Sequence, residues 1–131
     1  EVTALLRSAG ISVPFVGTRG IEWNSLAMTQ EAEGLIFTSP QMNESHSFFA
    51  TYGQKFGDNA TFYGAEGYDA LMTLNAAVSA CGSDTGCVEE WYRNRTWDGA
   101  LGHITFDEKG NATYPIGWKQ VHDGVFEDLQ A

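Results

Sequence analysis

Positive charge is what this sequence has least of. Seven Lys and Arg side chains stand against seventeen Asp and Glu, for a formal charge of −10 and a pI near 4.5. With no Lys/Arg cluster to displace counterions, a nucleic-acid backbone is excluded as partner. The same shortage argues against docking on anionic lipid. No apolar run approaches the ~20 residues of a membrane-spanning helix. Catalytic signatures are also missing: no G-x-S-x-G, no H-E-x-x-H, no G-x-x-x-x-G-K and no G-x-G-x-x-G. His46, His103 and His122 are scattered, and each reads as a surface or packing histidine rather than a metal ligand. His122 and Asp123 are adjacent, and such a pair cannot supply nucleophile, base and orienter together. The expectation is a protein that is not an enzyme, with no catalytic residue, no metal and no cofactor.

What is present is a core. Apolar residues make up 43% of the 131 and charged residues only 18%, which excludes disorder driven by charge. Val2, Leu5, Leu6 and Ala9 fall at helical spacing from the first residues, and Gly10 suits the position just past a helix end. The chain opens at Glu1 with no Met and no signal-peptide pattern, and it opens inside a helix. The expectation from that opening is a piece of a longer polypeptide.

Val13-Pro14-Phe15-Val16 reads as a short buried strand and Gly17–Gly20 as the loop at its carboxyl end. A mixed stretch follows, with one helical turn expected around Ser25–Met28. Gly34–Thr38 reads as a second strand, stopped by Ser39-Pro40. Short elements in this order suit an α/β layer with parallel pairing. From Ser45 the period turns helical, with Phe48, Phe49, Tyr52 and Phe56 on one face and Gly57-Asp58-Asn59 as the stop. A longer helix is predicted from about Tyr63 to Ala80, its stripe formed by Gly67, Ala70, Leu71, Leu74, Ala77, Val78 and Cys81. Both stripes read as core faces. A short helix over Val88–Arg95 carries Trp91 and Tyr92. The last third is β: Gly102–Phe106, a turn at Asp107–Gly110, a loosely alternating run from Tyr114 to Val121, then His122-Asp123-Gly124 turning into Val125-Phe126-Glu127.

Cys81 and Cys87 flank Gly-Ser-Asp-Thr-Gly. Two thiols cannot fill a structural zinc shell, and C-x5-C is not the C-x-x-C redox spacing. A disulfide stapling a turn between two helices is expected, which implies an oxidising compartment; two free thiols near helix ends are the alternative. N-x-[ST] sequons at Asn43, Asn59, Asn94 and Asn111 also read as ordinary turn residues.

Three stretches together carry a family resemblance. They are Gly17-Thr18-Arg19-Gly20 with Ala32–Thr38; Phe62-Tyr63-Gly64-Ala65-Glu66-Gly67-Tyr68-Asp69-Ala70-Leu71; and Gly102–Gly110 with Val121–Phe126. In this order and spacing the chain resembles the C-terminal portion of the periplasmic branched-chain amino acid (leucine/isoleucine/valine)-binding proteins, the type I substrate-binding proteins of ABC transporters. The resemblance implies an α/β fold forming part of a two-lobed type I periplasmic-binding-protein architecture, with Rossmann-like lobes and three crossing segments. Residues 1–38 would end the second lobe and 39–41 form a hinge crossing. Residues 42–110 would be the C-terminal part of the first lobe, and 111–131 the return crossing.

It further implies an extracytoplasmic solute-binding component of an ABC importer for amino acids or related small carboxylates. The expected setting is periplasmic or extracellular, lipid-anchored in one arrangement of the full-length protein. The expected partners are a small-molecule ligand and an ABC transporter permease. Carried onto matching positions, the ligand-binding candidates are Thr18, Arg19, Tyr63 and Glu66. Arg19 stands where the family's amino-acid binders often place an acidic residue, and its guanidinium favours a carboxylate over an ammonium. Tyr63 matches an aromatic position that packs on the ligand, and Glu66 could supply a relocated negative charge. A solvated loop residue remains the alternative for Arg19, and a helix-end carboxylate for Glu66. With the rest of the first lobe absent, the two stripes would lack partners, so self-association of the fragment is also expected. A ligand-sensing receptor domain and a non-binding interaction fragment are the competing functions.

Overall fold

The structure, a computed structural model, describes residues 2–11, 13–21 and 29–129. The helical turn expected around Ser25–Met28 lies outside them. The chain divides into two compact units, Glu1–Ser39 with Ile116–Ala131, and Pro40–Pro115.

In the first unit, α1 spans Val2–Ser8. Gly10, at φ 77°, reverses the chain as expected, while the Gly10 and Ile11 amides donate to the Arg7 and Leu6 carbonyls. Those paired bonds satisfy carbonyls the helix end would otherwise leave open. Four strands follow in spatial order β1-β2-β6-β7. β1 (Val16–Gly17) runs parallel to β2 (Ile36–Pro40), with Val16 opposite Ile36. β6 (Ile116–His122) and β7 (Val125–Asp128) form an antiparallel hairpin. Its turn places Asp123 at φ 50° and Gly124 at φ 78°, the pair of positive angles that a two-residue hairpin loop requires. Ala32, Leu35 and Val121 form the core, with Phe15 and Phe126 packed on it. Phe37, fully buried, meets Phe126 edge-on at 5.3 Å.

Parallel pairing is therefore observed, but the strand limits differ from expectation. Val13 and Val16 are exposed rather than buried. Pro14 has no N–H for a ladder, and β1, at the sheet edge, is only two residues long. β2 runs through Ser39 and includes Pro40, because a proline in the last strand position removes no bond from the strand interior.

The second unit holds α2 (Ser47–Phe56), α3 (Phe62–Cys81), α4 (Thr85–Tyr92) and an antiparallel sheet ordered β3-β4-β5. The strands are Thr96–Gly99, Gly102–Phe106 and Ala112–Thr113. His46 caps α2 through a hydrogen bond from the Phe48 amide to its Nδ1 (3.2 Å), and Gly57 ends the helix in the left-handed region. α4 begins three residues earlier than predicted because Asp84 accepts from the Cys87 amide as an N-cap. Cys81 and Cys87 are disulfide-bonded across that turn. Between β4 and β5, Asp107 accepts from the Lys109 and Asn111 amides and from the Asn111 side chain, each at 2.8 Å. The Asn111 side chain and amide hold its carboxyl below the ordinary range, with desolvation acting in the opposite direction. Strand β3 escaped the sequence reading altogether.

Ala65, Ala100, Leu101 and Ile104 form the core of this unit, and Phe48, Phe49 and Tyr68 pack against them. The aromatic face of α2 is thus partly a core face, although Phe56 at its end is exposed. The long helix departs further from expectation. Its buried side chains are Phe62, Ala65, Asp69, Thr73 and Ala77, while Leu71, Leu74 and Val78 of the predicted stripe are exposed.

Candidate functional site

Position 69 is the second unit's most unusual position. A carboxylate buried to 2% exposure needs partners for both oxygens. Asp69 finds them in the two-residue loop between β3 and β4: the Ala100 amide donates to Oδ1 at 2.9 Å and the Leu101 amide to Oδ2 at 2.8 Å. The loop closes because Gly102 takes φ 81°, and the carboxylate fits because Gly99 has no side chain. A Cβ at Gly99 would stand 2.2 Å from Asp69 Oδ1. One turn on, Thr73 Oγ1 donates to the Asp69 carbonyl at 2.9 Å, and the Tyr92 hydroxyl lies 3.3 Å from Thr73 Oγ1. This network joins α3 to the hairpin and to α4. Both carboxylate oxygens accept backbone amides, so Asp69 is a structural clamp between α3 and the hairpin. Sequence reasoning missed it, although an acidic residue on the inner face of an apolar helix was the available signal.

Beside the clamp lies a largely apolar cavity of about 260 Å³ between α3, α4 and the sheet, lined by Glu66, Ala70, Thr73, Tyr92, Ile104 and Phe106 among others. Glu66 is half-buried at its edge, in the second turn of α3. Tyr63, one turn earlier, is 60% exposed and its ring stacks on Phe62 with centroids 3.9 Å apart. These two candidates thus lie one turn apart on α3. Thr18 and Arg19 belong to the other unit, at the carboxyl end of β1, where Arg19 opens a short 3-10 turn through Ile21. Thr18 is exposed and Arg19 half-buried.

The three histidines have local roles. His46 caps α2, and His103 Nδ1 lies 2.7 Å from Asp98 on the neighbouring strand. His122 Nδ1 lies 3.1 Å from Glu33 Oε1, while the Asp123 amide donates to Glu33 Oε2 at 3.1 Å. The hydrogen bond to Glu33, helped by the charges of Asp123 and Glu127, raises the His122 pKa. Glu33, His122 and Asp123 place donor atoms within 4.8 Å of one another, but the Glu33 carboxylate is already tying down the β6–β7 turn.

No protein-family model and no curated protein sequence matches the chain. Solved structures do. An extracellular ligand binding receptor from Desulfohalobium retbaense is 32% identical over 98% of this chain, with a TM-score of 0.86. A leucine binding protein from Thermotoga maritima is 27% identical over 98%, with a TM-score of 0.84. An ABC transporter substrate-binding protein from Desulfitobacterium hafniense, in complex with leucine, is 27% identical over 98%, with a TM-score of 0.77. The chain spans 24%, 40% and 39% of these structures respectively.

Proposed function

From a chain that carries part of the type I periplasmic-binding-protein fold, in the form found in branched-chain amino acid substrate-binding proteins, we propose an extracytoplasmic solute-binding function in an ABC importer. The observation that carries this reading is the similarity over 98% of the chain to ligand-binding proteins, one of them holding leucine. On this reading residues 1–38 belong to one lobe and 42–110 to the other, with crossings at 39–41 and 111–131. Thr18 and Arg19 contribute from the first of these, Tyr63 and Glu66 from the second. The ligand is an amino acid or a related small carboxylate, the permease is the partner, and the setting is periplasmic or extracellular.

Arg19 sets the chemistry within that class. A guanidinium after a strand's carboxyl end forms a bidentate pair with a carboxylate, and a cleft closing over it lowers the dielectric and strengthens the pair. Calorimetric titration of the full-length gene product with leucine and with benzoate, a carboxylate lacking an ammonium, tests the reading. Binding of either at ~µM supports a solute-binding protein, whereas no heat with any amino acid or carboxylate sinks it. Arg19→Ala should cost roughly 2–5 kcal/mol of that affinity and Arg19→Lys only part of it. A change of no more than ~0.5 kcal/mol in both variants would remove Arg19 from the site. The 131-residue chain alone, offering part of the polar shell, should bind ~mM at best, about 4 kcal/mol weaker.

The name of the Desulfohalobium relative favours one other reading, a ligand-sensing receptor domain. A kinase or transmembrane segment in the same gene would select it.

A further inference from the structure

Two sequons of the second unit end on one open sheet face. Across the β3-β4-β5 sheet Thr96 stands opposite Thr105, Thr105 opposite Thr113, and Asp98 opposite His103. Residues paired across the sheet, or two apart along a strand, share a face, and all five are exposed. The other face holds Trp97, Ile104 and Phe106 in the core. An antiparallel sheet with one apolar and one polar face keeps the polar one in water. Thr96 and Thr113 are also the hydroxyl residues of Asn94-Arg95-Thr96 and Asn111-Ala112-Thr113.

Asn94 sits in the turn between α4 and β3 at φ 53°, which asparagine tolerates better than most residues, so its identity alone carries nothing. The spacing carries more. With six Asn and nineteen Ser or Thr among 131 residues, chance gives about one Asn-x-Ser/Thr sequence. There are four, all in the second unit, and in each both the Asn and the hydroxyl residue are exposed. Three of them have another claim on the asparagine. Asn111 Nδ2 donates to Asp107 Oδ2 at 2.8 Å, and Asn43 Oδ1 accepts from Ser45 Oγ at 2.6 Å. Asn59 lies four residues before Tyr63, a candidate ligand residue. At the fourth, the bulky middle residue is folded back on α4: Arg95 Nε donates to the Trp91 carbonyl at 2.7 Å, and its guanidinium lies 4.1 Å from the centre of the Trp91 ring.

We propose that Asn94 is an N-glycosylation site, its carboxamide accepting an oligosaccharide from a polyprenyl phosphate or pyrophosphate donor in the compartment to which the protein is exported. The transfer needs no redox partner. Asn94 Nδ2 bonds to C1 of the sugar, the C1–O bond to the lipid phosphate breaks, the phosphate leaves with the bonding pair, and one amide proton passes to solvent. Thr96 supplies the hydroxyl by which a transferase recognises its acceptor. The Cys81–Cys87 disulfide lies in the same unit and fits an oxidising, exported setting. A glycan is bulky and hydrated, and the polar sheet face beside Asn94 accommodates it without covering apolar surface. The proposal rests on the extracytoplasmic part of the solute-binding reading, not on its ligand.

Mass spectrometry of the gene product, as its own cells export it, tests the proposal. Cleavage after glutamate releases Trp91–Glu108, in which Asn94 is the only asparagine. The expected result is a hexose or N-acetylhexosamine mass on that peptide, lost in Asn94→Gln and in Thr96→Ala and kept in Thr96→Ser. Thr96→Ala changes an exposed strand position, so it decides the case where Asn94→Gln disturbs the turn. An unmodified peptide from the exported protein overturns the proposal, and so does sugar on Asn43, Asn59 or Asn111 with Asn94 bare. A mass that survives Thr96→Ala belongs to another side chain and overturns it as well. Leucine and benzoate titrations of the same preparation separate the two readings. A bare Asn94 in a protein that binds leucine removes the glycan and leaves the solute-binding reading standing. A glycosylated protein that binds neither ligand does the reverse.

Discussion

Two faces of one helix obey different rules. The inner face of α3 holds a buried charge and keeps it satisfied: both Asp69 oxygens accept backbone amides from the β3–β4 loop. The outer face holds ordinary hydrophobic side chains, with Leu71 and Leu74 left open. Hydropathy ranks the outer face as the better core, yet within this chain the structural work falls on the inner one. The difference teaches that a buried polar residue with complete partners specifies a packing arrangement more sharply than an apolar stripe does. A carboxylate fits one hairpin loop, while leucines accept any apolar cover.

The contrast should break most visibly at Asp69. Asp69→Ala leaves the Ala100 and Leu101 amides buried without acceptors, a loss of about 2–5 kcal/mol, read as a lower urea midpoint. Gly99→Ala should reproduce much of that loss with the carboxylate still present, because its Cβ would stand 2.2 Å from Oδ1 and force the side chain out of place. Wild-type midpoints in both variants would show that the clamp is ornamental.

Reduction of Cys81–Cys87 comes next. The loop it closes is short, so losing it should cost about 2 kcal/mol, less than a long-loop bridge. Mass spectrometry of alkylated, unreduced protein checks the bond itself, and two modified thiols would contradict it. Gly67→Ala is expected to act in the opposite direction. It should stabilise the 131-residue chain by about 0.5–1 kcal/mol, since the added methyl meets only solvent; destabilisation would mean that the outer face is already covered. The smallest effect belongs to the first unit. Because the folded pKa of His122 is raised, its contribution is present below about pH 6.5, the unfolded value, and is lost as pH rises through the folded value. NMR titration should show the shift collapsing in Glu33→Gln, and an unaltered titration there would rule out Glu33 as its main cause.

Much of this architecture could be read from residue patterns alone. Gly10, Gly57, Gly110 and Gly124 all occupy positive-φ positions at ends and turns where they were expected. Strand β4 and the Cys81–Cys87 staple also follow local spacing. What local patterns could not show was which side of α3 faces inward, since the deciding bonds run from Asp69 to residues 31 and 32 positions away. Strand β3 was hidden for a related reason: Thr96–Gly99 has little periodicity of its own and is defined by pairing with β4. Of the candidate ligand residues, Tyr63 and Glu66 sit one turn apart on one helix, as their spacing required. Thr18 and Arg19 fall in a different unit, and no local pattern relates the two pairs.

The measurement that bears most directly on the two-face account is the effect on unfolding free energy of Leu71→Lys on the outer face, set beside that of Ala77→Lys on the inner one. At position 71 the lysine stays in solvent, and the change should remain within about 0.5 kcal/mol. Ala77, 0% exposed, lies on the buried face, and an ammonium forced in there should cost about 3–5 kcal/mol. Equal, small changes in both would contradict the account, because the inner face of α3 would then be no more a core face than the outer one.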